Sequence, residues 1–228
     1  MHKPFVVGHR GAAGLEPENT LRSIARAIDV GVDAVEVDVR RTKDGELVVI
    51  HDPTVNRTTN GKGRVNSFTL KDLRALDAGK GERVPTFREL CAAVKGKVEL
   101  FVEIKEPEIV REMVTQIGVD ELAAKTTFVS FFHSALVSAK QLSPASRCGV
   151  IFSGDPMDPA KLALDVNADL IVPNQAYMSE RMVKEAHKRS LTVQAWTVNS
   201  ADDLRRVVGF GVDGVASDLP NLIVDALR

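Results

Sequence analysis

Short β-branched runs alternate with amphipathic segments along this chain, and that rhythm limits the fold more than any other feature. The main strands begin near residues 5, 34, 98, 127, 148, 169, 191 and 213, each followed by helical spacing of apolar residues. Helices are expected over about 16–30, 86–94, 107–117, 133–142, 158–165, 179–189, 201–209 and 221–227. Eight strand–helix units in 228 residues point to an α/β protein of the (β/α)8 TIM-barrel type rather than an open doubly wound sheet. A dinucleotide fold would carry Gly-x-Gly-x-x-Gly after its first strand, and Gly8, Gly11 and Gly14 have a different spacing. With 44% hydrophobic residues the chain can fill one sizeable core, so residues 1–228 are expected to form a single barrel domain.

One stretch breaks the alternation. Thr42-Lys43-Asp44-Gly45-Glu46 reads as a hairpin turn, and residues 47–50 return as strand to deliver His51-Asp52-Pro53. Residues 54–80, rich in Asn, Thr, Gly and Lys, read as a small insertion after the second strand, with one short helix near 69–76. It is too small for an independent core and is expected to roof the mouth of the barrel.

Thirty basic residues against 31 acidic ones give a net charge of -1, which leaves no electrostatic footprint for nucleic acid or a membrane surface. Met1-His2-Lys3-Pro4 runs straight into a strand, and no apolar signal region or spanning segment is present, so a cytoplasmic location is expected. Cys91 and Cys148 lie in different elements and suggest neither a disulfide framework nor a zinc site.

In a barrel of this kind the chemistry sits at the C-terminal ends of the strands. His9, Arg10, Glu36, Asp38, Glu103, Lys105, Ser130 and Trp196 all fall at or near such ends, from distant parts of the chain. In Val35-Glu36-Val37-Asp38-Val39 the strand period puts the valines on one face and both acids on the other, towards the interior. Glu103, in Phe101-Val102-Glu103-Ile104-Lys105, adds a third carboxylate. Together they make an all-oxygen site for one hard divalent cation, Mg²⁺ or Ca²⁺. The competing reading is that the acids pair with buried Arg or Lys and hold no metal.

His9 and His51 emerge into the same mouth, each beside a charged residue (Arg10, Asp52), and such a pair can supply both an acid and a base. His2 and His187 lack that context and read as surface residues. Arg10 and Lys105 suit a phosphate and can also neutralise the acids. Glu18 and Asp52 read as groups that orient His51, His9 or Arg10. Trp196, the only Trp, serves either the core or the pocket wall. These groups imply phosphoryl chemistry with proton transfer at both oxygens. No Gly-x-Ser-x-Gly elbow is present, so the attacker is expected to be water or a substrate hydroxyl.

His9-Arg10-Gly11, Pro17-Glu18-Asn19-Thr20, Glu36-x-Asp38, Thr42-Lys43-Asp44-Gly45, His51-Asp52, Val102-Glu103-Ile104-Lys105 and Trp196-Thr197-Val198-Asn199 follow one another along the chain. In that order they resemble the glycerophosphodiester phosphodiesterases, and the likeness extends to Gly211–Pro220, written out as GVDGVASDLP. The resemblance implies a catalytic (β/α)8 barrel with a small insertion, with Glu36, Asp38 and Glu103 as ligands of Mg²⁺ or Ca²⁺. It further implies His9 and His51 as the acid/base pair, Arg10 and Lys105 on the phosphate, and Trp196 and Phe131 at the substrate pocket. The implied reaction is metal-dependent hydrolysis of a small-molecule glycerophosphodiester to sn-glycerol 3-phosphate and an alcohol, with no nucleic acid and no stable membrane association. Two departures from the family pattern, Phe132-His133 and the pair Ser217 and Leu219, bear on alcohol preference and pocket shape.

Three other functions compete. A phosphodiesterase releasing headgroups from lysophospholipids would call for an apolar insertion, and residues 54–80 hold few large apolar side chains. A barrel that only binds phosphodiesters has no use for two acid/base imidazoles. A one-metal isomerase or decarboxylase has no use for two His and an Arg at these positions. The sequence carries no pattern that specifies an oligomeric state.

Overall fold

The computed structural model describes residues 3–228; His2, read above as a surface residue, lies outside them. The strands among these residues are β1 (Phe5–Gly8), β2 (Ala34–Arg41), β3 (Leu47–Val49), β4 (Glu99–Ile104), β5 (Thr126–Ser130), β6 (Arg147–Phe152), β7 (Leu170–Pro173), β8 (Thr192–Ala195) and β9 (Gly214–Ser217). All but β3 pair in parallel in the order β1-β2-β4-β5-β6-β7-β8-β9, and β9 closes the ring on β1. The chain is therefore a closed (β/α)8 barrel, as the alternation predicts. β3 lies outside the ring, antiparallel to the end of β2 through Arg40↔Val48 and Arg41↔Leu47.

The helices are α1 (Leu21–Val30), α2 (Leu70–Leu73), α3 (Phe87–Val94), α4 (Val110–Val119), α5 (His133–Leu142), α6 (Pro159–Leu164), α7 (Glu180–Lys188), α8 (Ala201–Phe210) and α9 (Pro220–Ala226). No helix among the described residues is long and apolar enough to cross a membrane. The strand period sorts each strand into two faces. Val35, Val37 and Val39 point outward into the core shared with the helices, where Ile24, Phe87, Met113 and Leu136 are fully buried. Each such side chain contributes roughly 1.5–3 kcal/mol by leaving water. A second cluster (Val7, Phe101, Val129, Ile151, Leu170, Val172) fills the barrel interior. The acids of β2 take the inward face, which aims them up the barrel axis.

Three local readings need correction. Residues 16–20 do not open a helix: α1 starts at Leu21, because the Thr20 side chain caps it by accepting from Ser23 N while donating to Pro17 O. Asn19, at φ 58°, bends the preceding loop back toward β2. Residues 107–109 form a 3-10 turn before α4. In the insertion, α2 is shorter than the expected helix, and the local apolar residues (Val55, Val65, Leu73) bury against Val48 and Ile50. That small cluster leans on β3, so the insertion and the extra strand stand together.

Candidate active site

Arg10 and Gly11 turn the chain sharply at the end of β1, both at positive φ (51° and 81°). Gly11 is required there: a Cβ would come within 2.5 Å of Ser23 Oγ. The turn aims the Arg10 amide at Glu36, and Arg10 N donates to Glu36 Oε2 over 3.0 Å.

Glu36, Asp38 and Glu103 each offer an oxygen within 4.8 Å of the others, and all three are buried. Register explains the grouping, since Asp38 pairs with Glu103 across β2 and β4. Lys105 Nζ stands 3.0 Å from Asp38 Oδ1 and 2.6 Å from Glu103 Oε1. Arg10 Nε lies 3.5 Å from Asp38 Oδ2 as an ion pair, and Asn19 Nδ2 donates a hydrogen bond to the same oxygen at 2.8 Å. Pairing of acids with buried cations, the competing reading above, is thus realised for Asp38 and Glu103. It leaves Glu36 Oε1 buried without a hydrogen-bond partner. Three acids against one guanidinium and one ammonium leave an excess of negative charge, and the donor atoms they offer are all oxygens. That set fits a hard divalent cation.

Protonation follows the same bookkeeping of charge. Burial, then Asp38 beside it, pushes the Glu36 carboxyl up to about 7. Burial and Asp38 push Glu103 up to about 8. Asp38 is held below the ordinary carboxylate range, because Lys105 and Arg10 outweigh its complete burial. The cluster therefore carries protons near neutrality when no cation shares it. Binding of Mg²⁺ or Ca²⁺ is expected to release protons, and apparent affinity to rise with pH up to about 8. Calorimetric titration in two buffers of different ionisation enthalpy measures this directly, and equal heats in both would count against it.

His9 Nδ1 lies 2.6 Å from Asp218 Oδ1, so its Nε2 faces inward, 3.9 Å from Glu36 Oε2. Burial lowers the His9 pKa, but Asp218 and Glu36 more than reverse this and it ends above the ordinary value. His51 Nδ1 lies 2.7 Å from Asp52 Oδ1. Burial lowers His51, and Lys105 and Arg10 add to that against Asp38, so it ends below the ordinary value. The two imidazoles are biased in opposite directions, each with Nδ1 held by a carboxylate.

One cavity of about 350 Å³ at the barrel mouth is lined by His9, Arg10, Glu36, His51, Glu103 and Lys105 on one side, with Phe131 and Trp196 among the lining residues on the other. Asp38 stands behind this wall, fully buried. Trp196 lines the pocket rather than the core alone: its Nε1 donates to Val172 O, and its ring meets Phe131 edge-on at 5.7 Å. Ser130 does not join the site. It is fully buried, and its hydroxyl donates to Ile104 O and accepts from Phe132 N, which ties off β5. His187, paired with Asp213 on the outside, stays a surface residue.

Glu18 accepts a hydrogen bond from Arg10 Nη1 at 2.8 Å, and Asp52 Oδ1 lies 2.7 Å from His51 Nδ1. Sequence reasoning missed what holds them. Arg57, from the insertion, donates to both Glu18 oxygens and both Asp52 oxygens. Asp218 is a further acid of the site, placed directly after the last strand β9, a position at which a carboxylate can reach the barrel mouth. Asn199 fixes Asp218 by accepting from its backbone N–H and donating to Oδ2.

Fold and side chains together define a barrel enzyme whose mouth combines a carboxylate cluster, two basic side chains and two imidazoles. Residues 9–222 match the model of the glycerophosphoryl diester phosphodiesterase family, and the chain belongs to that family. A glycerophosphodiester phosphodiesterase of Caldanaerobacter subterraneus is 34% identical, covering 99% of this chain and 98% of that one. A phosphodiesterase of Oleispira antarctica, solved in complex with the product sn-glycerol-3-phosphate, superposes with a TM-score of 0.90 at 30% identity, over 98% of this chain and 96% of that one. A structure from Silicibacter pomeroyi gives a TM-score of 0.92 at 27% identity, covering 98% of this chain and 93% of that one.

Proposed function

We propose that this chain, as one catalytic domain, hydrolyses glycerophosphodiesters to sn-glycerol 3-phosphate and an alcohol. The observation that carries the proposal is the pair of imidazoles with opposite bias on the wall that also holds Glu36 and Glu103. Glu36, Asp38 and Glu103 would hold one divalent cation, Mg²⁺ or Ca²⁺, which supplies Lewis-acid polarisation of a phosphoryl oxygen. Arg10 and Lys105 bind the remaining phosphate charge.

His51, neutral at its depressed pKa, takes the proton of the attacking hydroxyl at Nε2. A P–O bond to that oxygen forms as the P–O bond to the alcohol breaks. His9, protonated at its raised pKa, gives its Nε2 proton to the departing alkoxide. The attacker is water or the glycerol 2-hydroxyl; in the second case a cyclic phosphate forms and water opens it. Equal turnover of substrates with and without the 2-hydroxyl would rule out the second route.

The direct test is release of glycerol 3-phosphate from glycerophosphocholine and glycerophosphoethanolamine, with and without EDTA. Release that EDTA abolishes and Mg²⁺ or Ca²⁺ restores is the expected result. No release from either substrate with both ions supplied would overturn the reading.

Asp218→Asn tests the buttress under His9. Losing the carboxylate lets burial dominate, so the His9 pKa falls and less of it is protonated at neutral pH. We expect kcat to drop about 10–100-fold with KM little changed, the scale on which groups behind a functional side chain act. The alkaline limb of the pH profile should move to lower pH. An unmoved limb would show that Asp218 has only a packing role.

A further inference from the structure

The mouth cavity is divided. Its charged groups come from the β1, β2, β3 and β4 side, while Val129, Ile151, Val172 and Ala216 make the opposite wall apolar. Gln194 is the exception. It sits on β8, its side chain lines the cavity, and only 5% of the residue is exposed. Its Nε2 is buried without a hydrogen-bond partner.

The carboxamide has space built for it. Gln194 pairs with Gly214 of β9, where a Cβ would fall 2.0 Å from Gln194 Oε1. Glycine at 214 is what lets the amide lie across the barrel interior. Packing alone does not explain the choice, because Met or Leu would fill the same volume among apolar neighbours without stranding a donor. An unpartnered donor on a residue that lines a ligand cavity can find its partner on the ligand.

Resting on the proposed function, we infer that Gln194 is a specificity-determining residue that hydrogen-bonds the terminal (C1) hydroxyl of the substrate's glycerol moiety. The phosphate belongs with the cations on the charged wall. The glycerol carbons then lie against the apolar wall, where Gln194 provides a polar contact. An enclosed amide suits the part common to all glycerophosphodiesters, whereas the variable alcohol can leave past Phe131, which is 46% exposed. A hydroxyl donates and accepts, so it satisfies the carboxamide in either orientation.

The test compares kcat/KM for glycerophosphocholine and 2-hydroxypropylphosphocholine, which lacks only the C1 hydroxyl, in wild type and Gln194→Met. Wild type should favour the full substrate by about 100-fold, since a site built around a hydroxyl rejects the analogue without it. In Gln194→Met the preference should shrink to about threefold or less, with the deoxy analogue cleaved as well as by wild type. An unchanged preference in the variant, or none in wild type, overturns the assignment. Cleavage of neither substrate by wild type would overturn the proposed function instead, and this inference with it. Should Gln194→Met not fold, inhibition of wild type by glycerol 3-phosphate and by 2-hydroxypropyl phosphate decides: equal inhibition constants overturn the assignment, and much weaker inhibition by the deoxy compound upholds it.

Discussion

His9→Gln and His51→Gln are each expected to lower kcat on glycerophosphocholine by about 10²–10⁴-fold, and a change of leaving group should separate the two. Choline departs as a poor leaving group and needs a proton, whereas p-nitrophenol departs readily as its anion. If His9 is the acid, His9→Gln should recover most of its activity on glycerophospho-p-nitrophenol. His51→Gln should stay slow on both substrates, because deprotonating the attacker is required either way. The opposite bias of the two rings motivates this assignment: Asp218 and Glu36 raise His9, while burial, Lys105 and Arg10 depress His51. Recovery by His51→Gln instead would reverse the roles. Recovery by neither would remove acid catalysis at the leaving group from the proposal.

Glu36→Gln should do two opposite things. Activity that depends on Mg²⁺ or Ca²⁺ should fall by about three orders of magnitude, as binding energy and transition-state charge stabilisation are lost together. The metal-free protein should become more stable at pH 8, by on the order of 1–3 kcal/mol, because a buried carboxylate with an orphaned oxygen has been neutralised. The sign follows from linkage. Glu36 has a folded pKa raised from 4.5 to about 7, so below 4.5 both states are protonated and nothing is gained. Between 4.5 and 7 the unfolded chain gives up its proton while the folded one keeps it, and folding stability falls until the penalty is complete above 7. Denaturant melts in EDTA at pH 4.5 and pH 8 measure both ends. A variant destabilised equally at both would show that Glu36 is held by favourable contacts rather than tolerated for a cation.

How much of this was legible in the sequence depends on the range of the interaction involved. The strands were readable to within a residue, because the period of Val and Ile records burial on a face locally. The clustering of Glu36, Asp38 and Glu103 was readable for a related reason: in a closed parallel barrel, residues at the ends of β2 and β4 must meet. The start of α1 was misplaced because Pro17 and Glu18 suit a first turn as well as a loop, and the side-chain bonds of Thr20 decide between them. Asp218 and Arg57 were missed for a different reason. Asp218 meets His9 across the closure of the barrel, 209 residues away in sequence. Arg57 lies in an irregular segment, where no periodicity says which way a side chain points.

Arg57 also changes the meaning of the insertion. Its guanidinium grips Glu18 and Asp52 together, one leading to Arg10 and the other to His51. The excursion that looks most dispensable in the chain is thereby the clasp between the loop after β1 and the loop after β3. Grafting a relative's loop into positions 54–80 would therefore also reset the alignment of Arg10 against His51. A grafted loop without an arginine in that place should give a folded barrel that turns over slowly on every alcohol alike.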